Sequence, residues 1–291
     1  MKVLIVGATG QVGWELQRCI PAGLDVVALG SAELDISNRD DVSRKVAQVK
    51  PQVVINAAAY TAVDRAEGEK EKAFAVNETG VGFIAAAARE VDAFFLQVST
   101  DFIFDGESAH PYLPAARPNP LGVYGASKLG GEKKVQELCG DDWAIVRTSW
   151  VYSCHGHNFV KTMLRMMAER DFLSVVDDQV GSPTWAHGLA EVLWLVVVKR
   201  LPGIMHWSDA GVASWYDFAF AIMEEAVALG ILKKKIEIKP IASVEYPLPA
   251  KRPAYSVLDK RETWQQLGKR SDHWRVALRQ MLMQYKEINC A

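Results

Sequence analysis

The strongest constraint on this chain's fold is a cluster of glycines set directly after its first apolar run. Lys2-Val3-Leu4-Ile5-Val6 passes at once into Gly7-Ala8-Thr9-Gly10-Gln11-Val12-Gly13, where a helical pattern begins. Glycine lets the chain turn sharply there and brings bare backbone close to a pyrophosphate, whose charge is favoured at the positive end of the following helix. The apolar run itself is too short for the core of an export signal, so a buried strand is expected.

The first half of the chain repeats this strand-then-helix rhythm. Strands are expected over 3–6, 25–29, 52–56, 93–98 and 143–147, and helices over 12–20, 39–49, 71–90 and 125–138. Such alternation makes βαβ units and a parallel sheet. Ahead of the last of these helices lies a loop carrying Pro111, Pro114, Pro118 and Pro120, long enough to serve a function. Beyond Trp150 the rhythm loosens, with helical stretches near 159–170, 186–199, 215–229 and 273–287. The expected fold class is α/β, a Rossmann-type doubly wound parallel sheet with a smaller C-terminal α/β substrate domain. Residues 1–149 are expected to form the dinucleotide-binding domain, with 177–207 returning to it, and 150–176 with 208–291 the substrate-binding domain.

Composition excludes several other classes. Among 291 residues, 49% are hydrophobic and 23% charged, with a formal net charge of -2, the balance of a globular protein rather than a disordered or fibrous one. No basic footprint for nucleic acid is present, and Lys233-Lys234-Lys235 reads as a solvated face. The longest later apolar run, 192–198, falls short of the roughly 20 residues that span a bilayer, so no membrane partner is expected. Cys19, Cys139, Cys154 and Cys290 are far apart and form no C-x-x-C pair, which fits a reduced, cytoplasmic protein without a disulfide framework or zinc site.

Chemistry concentrates in four places. Tyr124-Gly125-Ala126-Ser127-Lys128 opens a helix, and residues four apart share a face, so the Lys128 ammonium can sit beside the Tyr124 phenol and a cofactor ribose. A neighbouring cation favours the phenolate, which would lower a phenol pKa of about 10 toward the neutral range suited to proton transfer. Val98-Ser99-Thr100-Asp101 ends another strand, where open α/β sheets place ligands and where a hydroxyl can polarise a carbonyl. The small side chains of Asn56-Ala57-Ala58-Ala59-Tyr60-Thr61 either let ribose and nicotinamide approach or pack beneath a helix. After Leu29-Gly30-Ser31 there is neither the acid typical of NAD sites nor the base typical of NADP sites, so NADH and NADPH both stay open. Asp35, with Ile36, reads either as an adenine contact or as the N-cap of the next helix.

Taken together, these residues resemble the dTDP-4-dehydrorhamnose reductases, a family of extended short-chain dehydrogenases marked by the G-x-x-G-x-x-G spacing. The resemblance spans nearly the whole chain. It is carried by Gly10-Gln11-Val12-Gly13-Trp14-Glu15-Leu16, the segment from Asn56 through Val63-Asp64, and Ser99-Thr100-Asp101-Phe102-Ile103-Phe104-Asp105-Gly106. Tyr124-Gly125-x-x-Lys128, Arg147-Thr148-Ser149-Trp150-Val151-Tyr152 and Asp178-Gln179-x-Gly181-Ser182-Pro183-Thr184 complete it. The resemblance implies hydride transfer from NADPH or NADH to the C4 ketone of a dTDP-linked 4-keto-6-deoxy sugar, in a monomer or homodimer. It implies cofactor contacts from Gly7, Gly10, Gln11, Val12, Gly13, Asp35, Ile36, Ala59, Tyr60, Thr61 and Val98, with Tyr124, Lys128 and Thr100 as catalytic residues. Substrate contacts would come from Thr100, Asp101, Tyr124 and Trp150, where Trp150 is either a sugar platform or a core residue. Arg252 reads as a diphosphate ligand or a surface residue.

Three alternatives accompany this reading, the first a reductase of another nucleotide 4-keto sugar. A dehydratase of the same fold resembles T-D-E after the strand, and Phe102 follows Asp101 here. A non-catalytic regulatory subunit, like that of methionine adenosyltransferase, keeps the fold and cofactor pocket. The chain departs from the family at Ser153-Cys154-His155-Gly156-His157, whose H-x-H reads more simply as a polar loop than as a metal site. Some members bind magnesium at a dimer interface through acids; Glu15 and Glu191 fit that pattern, but His187 stands where an acid is expected, so no metal is assigned.

Overall fold

The computed structural model describes residues 1–289, so Cys290, one of the separated cysteines, lies outside the described residues. The chain begins with β1 (Lys2–Val6), α1 (Gln11–Arg18), β2 (Asp25–Leu29), α2 (Arg39–Val49) and β3 (Val53–Asn56). Next come α3 (Val63–Gly68), α4 (Lys70–Phe74), α5 (Val81–Glu90), β4 (Phe94–Thr100), α6 (Val123–Leu138) and β5 (Trp143–Thr148). The remainder runs through β6 (Val151–Tyr152), α7 (Phe159–Glu169), β7 (Phe172–Val176), β8 (Val180–Gly181), β9 (Thr184–Trp185) and α8 (Ala186–Lys199). It ends with β10 (Gly203–His206), β11 (Ala213–Ser214), α9 (Trp215–Ala228), β12 (Glu237–Ile241), α10 (Arg261–Leu267) and α11 (Trp274–Asn289).

Six strands form one sheet in the order β10-β5-β4-β3-β1-β2, with every pair parallel. Strands buried on both faces need apolar residues in both registers, which is why Val3–Val6 of β1, Val53–Ile55 of β3 and Phe94–Leu96 of β4 are consecutive apolar runs. Val3 and Ile5 point to a cluster with Leu16 of α1 and Leu193 and Trp194 of α8. Leu4 and Val6 point the opposite way, to Val42 of α2, Ile84 of α5 and Val135 of α6. Each fully buried aliphatic side chain contributes roughly 2 kcal/mol.

Chain order reverses at β1, with β2 on one side and β3 on the other, and such switch points open a crevice at the carboxyl ends of the strands. A third cluster joins α7, α9, α11 and β7 through Val160, Leu164, Phe218, Ile222, Leu278 and Leu173. Around it lie two-stranded pairings, β12 with β7, β11 with β8 and β6 with β9.

Two boundaries matter for the site. The fourth strand, expected to stop at Val98, continues to Thr100, because Ser99 and Thr100 keep their register with Arg147 and Thr148 of β5. The helix expected from Gly125 starts at Val123 after an extended Gly122, so Tyr124 falls in the first turn of α6. Between α4 and α5, residues Ala75–Gly80 make a π-helical turn. Gly80 sits in it so close to the neighbouring loop that a Cβ would lie 2.8 Å from the Ile36 carbonyl oxygen. No helix among the described residues is long and apolar enough to cross a membrane.

Candidate active site

A cleft of about 1020 Å³ opens at the switch point and runs from the β1 and β2 ends to Trp215 and Arg252. Its three glycines divide their work. Gly7 has φ +87°, and an added Cβ would lie 2.5 Å from the Ala58 nitrogen; at Gly13 it would lie 2.1 Å from the Gly7 oxygen. Both are therefore demanded by packing. At Gly10 the nearest atom would be the Gly7 oxygen at 3.5 Å, so here the missing side chain leaves backbone open to the cleft. Gly10 caps α1 without any side-chain bond to the first-turn amides, which leaves that helix end as an anion seat suited to a pyrophosphate. Val12 lines the same wall, and Gln11, also lining it, accepts from Asn158 Nδ2 at 2.9 Å.

Asp35 and Ile36 both line the cleft. The alternative in which Asp35 caps α2 is overturned: Asn38 is the cap, accepting from the Asp41 amide at 3.1 Å, whereas Asp35 accepts from the Ser37 amide and hydroxyl. The end of β2, which reads as uncharged, does receive an acid, since Glu33 folds back to accept the Gly30 amide at 2.9 Å.

Ala59, Tyr60 and Thr61 line the wall beyond β3. They are held by Asn77, a residue the sequence did not single out. From the π-helical turn its Oδ1 accepts the Tyr60 amide at 2.8 Å, while Nδ2 donates to the Tyr60 carbonyl and to Ser127 Oγ of α6, both at 3.0 Å. One buried amide thus ties the β3 loop to the helix carrying Tyr124. A π-helical turn has no periodic signature from which this could be read.

Thr100, Asp101, Tyr124 and Lys128 meet in the cleft, together with Val98 and Trp150. Thr100 and Asp101 are buried, and the Thr100 hydroxyl donates to Asp101 Oδ1 at 3.1 Å while accepting the Phe102 amide at 3.2 Å. The expectation that Lys128 lowers the Tyr124 pKa is corrected. Burial pushes the phenol up to about 12, the Thr100 hydroxyl pulls it down and the Asp101 charge raises it further. The Lys128 ammonium instead donates to the Val98 carbonyl at 2.8 Å, and burial lowers it to about 8 against the opposing charge of Glu132. Tyr124 is half-buried as a residue, with its ring edge-on to Phe102 and its hydroxyl end desolvated.

Beneath this group lies a second set the sequence did not reveal. Glu132, one turn beyond Lys128, accepts from Ser99 Oγ at 2.6 Å and from Arg147 Nε and Nη2 at 3.0 and 2.7 Å. Arg147 also donates to the Pro114 carbonyl, pinning the proline-rich loop. His206 Nδ1 lies 3.0 Å from the Tyr112 carbonyl, which requires a proton on that nitrogen.

Trp150 is in the left-handed region at φ +47° and stacks on Trp215, ring centroids 3.5 Å apart and planes 4° apart. It is half-buried against the third cluster and also lines the cleft. Arg252 is no free surface residue: it lines the cleft and forks onto Asp64 at 3.0 and 2.8 Å. His155 stacks on Trp14 and its Nε2 is 2.9 Å from the Thr9 carbonyl; His157 lies exposed on the cleft wall.

Glu15 and Glu191, the acids of the interface pattern, both have partners within this chain. Glu15 Oε1 accepts from Ser153, Oε2 lies 3.6 Å from Arg18 Nε and 3.4 Å from His187 Nδ1, and Glu191 pairs with Lys269 at 2.7 Å. No group of three or more potential metal ligands occurs among the described residues. The lysine run is paired outward, Lys234 with Asp171 and Lys235 with Glu224.

The family model described as the RmlD substrate binding domain matches residues 1–287. The chain belongs to that family. A relative from Burkholderia thailandensis, described as dTDP-4-dehydrorhamnose reductase, is 42% identical over 96% of this chain and 97% of its own. The crystal structure of a dTDP-4-dehydrorhamnose reductase from Clostridium acetobutylicum superposes with a TM-score of 0.93 at 39% identity, covering 98% of this chain and 100% of that one. A Bacillus anthracis dTDP-4-dehydrorhamnose reductase in complex with NADP superposes at 0.91 and 35% identity, covering 97% and 99%. The RmlD family and the doubly wound fold therefore agree with what the motifs imply.

Proposed function

We propose that this chain reduces the C4 ketone of dTDP-4-dehydrorhamnose to dTDP-L-rhamnose with NADPH or NADH. The observation that carries the reading is the convergence of Thr100, Tyr124 and Lys128 in one cleft, between an anion seat at the α1 terminus and the Asp64-braced Arg252. The agreement with relatives named for this reaction supports it.

The anion seat fits a dinucleotide pyrophosphate, with Asp35 and Ile36 on the adenine side and Ala59, Tyr60, Thr61 and Val98 along the ribose and nicotinamide side. When bound, the nicotinamide supplies the hydride. Thr100 holds the ketone oxygen, and Tyr124 donates its phenolic proton to the alkoxide that forms at C4. A phenol pushed upward by burial stays protonated until an alkoxide, the stronger base, develops beside it. Lys128, fixed by the Val98 carbonyl, presents its remaining donors to Tyr124 and the cofactor ribose. Trp150 offers an apolar face to the 6-deoxy sugar, and Arg252 a fork to the substrate diphosphate.

In this reading residues 1–149 and 177–207 bind the dinucleotide and 150–176 and 208–291 the nucleotide sugar, in a cytoplasmic monomer or homodimer. The test is loss of cofactor absorbance on mixing with dTDP-4-dehydrorhamnose, run with each cofactor. Absence of oxidation at every substrate concentration, with cofactor still bound, would replace the reading by the non-catalytic one.

A further inference from the structure

Asp101 is the buried acid of the cleft to which the reduction gives no task beyond contact. It follows β4 directly, is 1% exposed, and lines the cleft. Its Oδ1 takes the Thr100 hydroxyl, while Oδ2 has no hydrogen-bond partner in good geometry among the described residues. Buried carboxylates ordinarily gather several well-formed hydrogen bonds or a cation, and one that is buried without a paired cation favours its neutral form. Burial pushes Asp101 up to about 6; the hydroxyls of Ser256 and Thr100 and the amides of residues 101 and 102 oppose this. The titratable side chain coupled to it is Tyr124, across on α6.

The Thr100 hydroxyl has one proton and two lone pairs. One lone pair accepts the Phe102 amide, and while Asp101 is a carboxylate the proton is spent on Oδ1. When Asp101 carries a proton it becomes the donor and fills the second lone pair. The Thr100 proton then turns outward, to the Tyr124 oxygen or the substrate ketone.

We propose that Asp101 is a positioning residue that stores a proton for the reduction, aiming the Thr100 hydroxyl before hydride transfer and refilling Tyr124 through Thr100 afterwards. This rests on the reductase reading. The Tyr124 O–H bond breaks as its proton joins the alkoxide oxygen, whose electron pair was released when hydride bonded to C4. The Thr100 proton then passes to the phenolate and the Asp101 proton to Thr100. The carboxylate left behind takes a proton from water once product leaves the cleft.

The experiment measures kcat and KM of the full chain with NADPH and dTDP-4-dehydrorhamnose from about pH 5 to 9. For the unaltered chain kcat should fall on the alkaline side as Asp101 ionises. Asp101→Asn should lower kcat about tenfold and flatten that fall, leaving the KM for NADPH unchanged. An Asp101→Asn chain with unaltered kcat and pH profile overturns the proposal. Should that variant not fold, Ser256→Ala decides: losing a hydroxyl that favours the carboxylate should move the fall to higher pH, and an unmoved fall overturns the proposal. No turnover by the unaltered chain would instead remove the reductase reading itself, before any variant is compared.

Discussion

Glu132 and Asp101 are both buried carboxylates close to the reacting groups, and they are treated in opposite ways. Glu132 receives Ser99 and two nitrogens of Arg147, so its charge is met on all sides. Asp101 receives one hydroxyl in good geometry. The floor of the cleft is therefore built to hold charge still, and its wall to let a proton move. A paired guanidinium, rather than depth, separates the acid held charged from the one proposed to carry a proton.

The comparison can be broken most sharply at the wall. Tyr124→Phe should lower turnover by about 10²–10⁴-fold, with cofactor affinity from fluorescence titration and thermal stability both nearly unchanged. Retained turnover would remove the proton-donor role. At the floor stability rather than turnover responds: Glu132→Gln strands the Arg147 charge and should cost about 3–5 kcal/mol of unfolding free energy in denaturant titration. A loss confined to activity would show that the floor is not structural.

A smaller effect is expected at the cleft mouth, where Arg252→Met should raise the KM for the nucleotide sugar roughly tenfold without moving that for NADPH. Per pH unit, the acid response of the floor is of the same small order. Burial, then the Arg147 charge, holds His206 down at about 3, against about 6.5 for a histidine in an unfolded chain. Between those values the unfolded chain binds a proton that the folded one refuses. Stability should therefore fall as pH drops through that window, by roughly 1.4 kcal/mol per unit at most, and His206→Gln should flatten the slope of melting temperature against pH.

What was legible in the sequence is what is local in it. The glycine turn, the alternating strands and the Tyr124–Lys128 spacing each lie within one or two elements, so periodicity and turn chemistry expose them. Asn77 with Ser127, Glu132 with Arg147, Asp64 with Arg252 and Trp150 with Trp215 are joined only by folding, and nothing in the spacing of either partner announces the other. The same blindness misdirected the Tyr124 pKa. Spacing shows that Lys128 shares its face; it cannot show that the ammonium is turned to the Val98 carbonyl, nor how thoroughly the phenol is desolvated.

The stacked indoles of Trp150 and Trp215 have an optical consequence. Rings held face to face at 3.5 Å share their electronic transitions, and this pair forms part of the cleft wall rather than the deep core. A sugar seated against Trp150, as proposed, would change that coupling, and occupancy would then be readable without a label as a shift in near-ultraviolet circular dichroism.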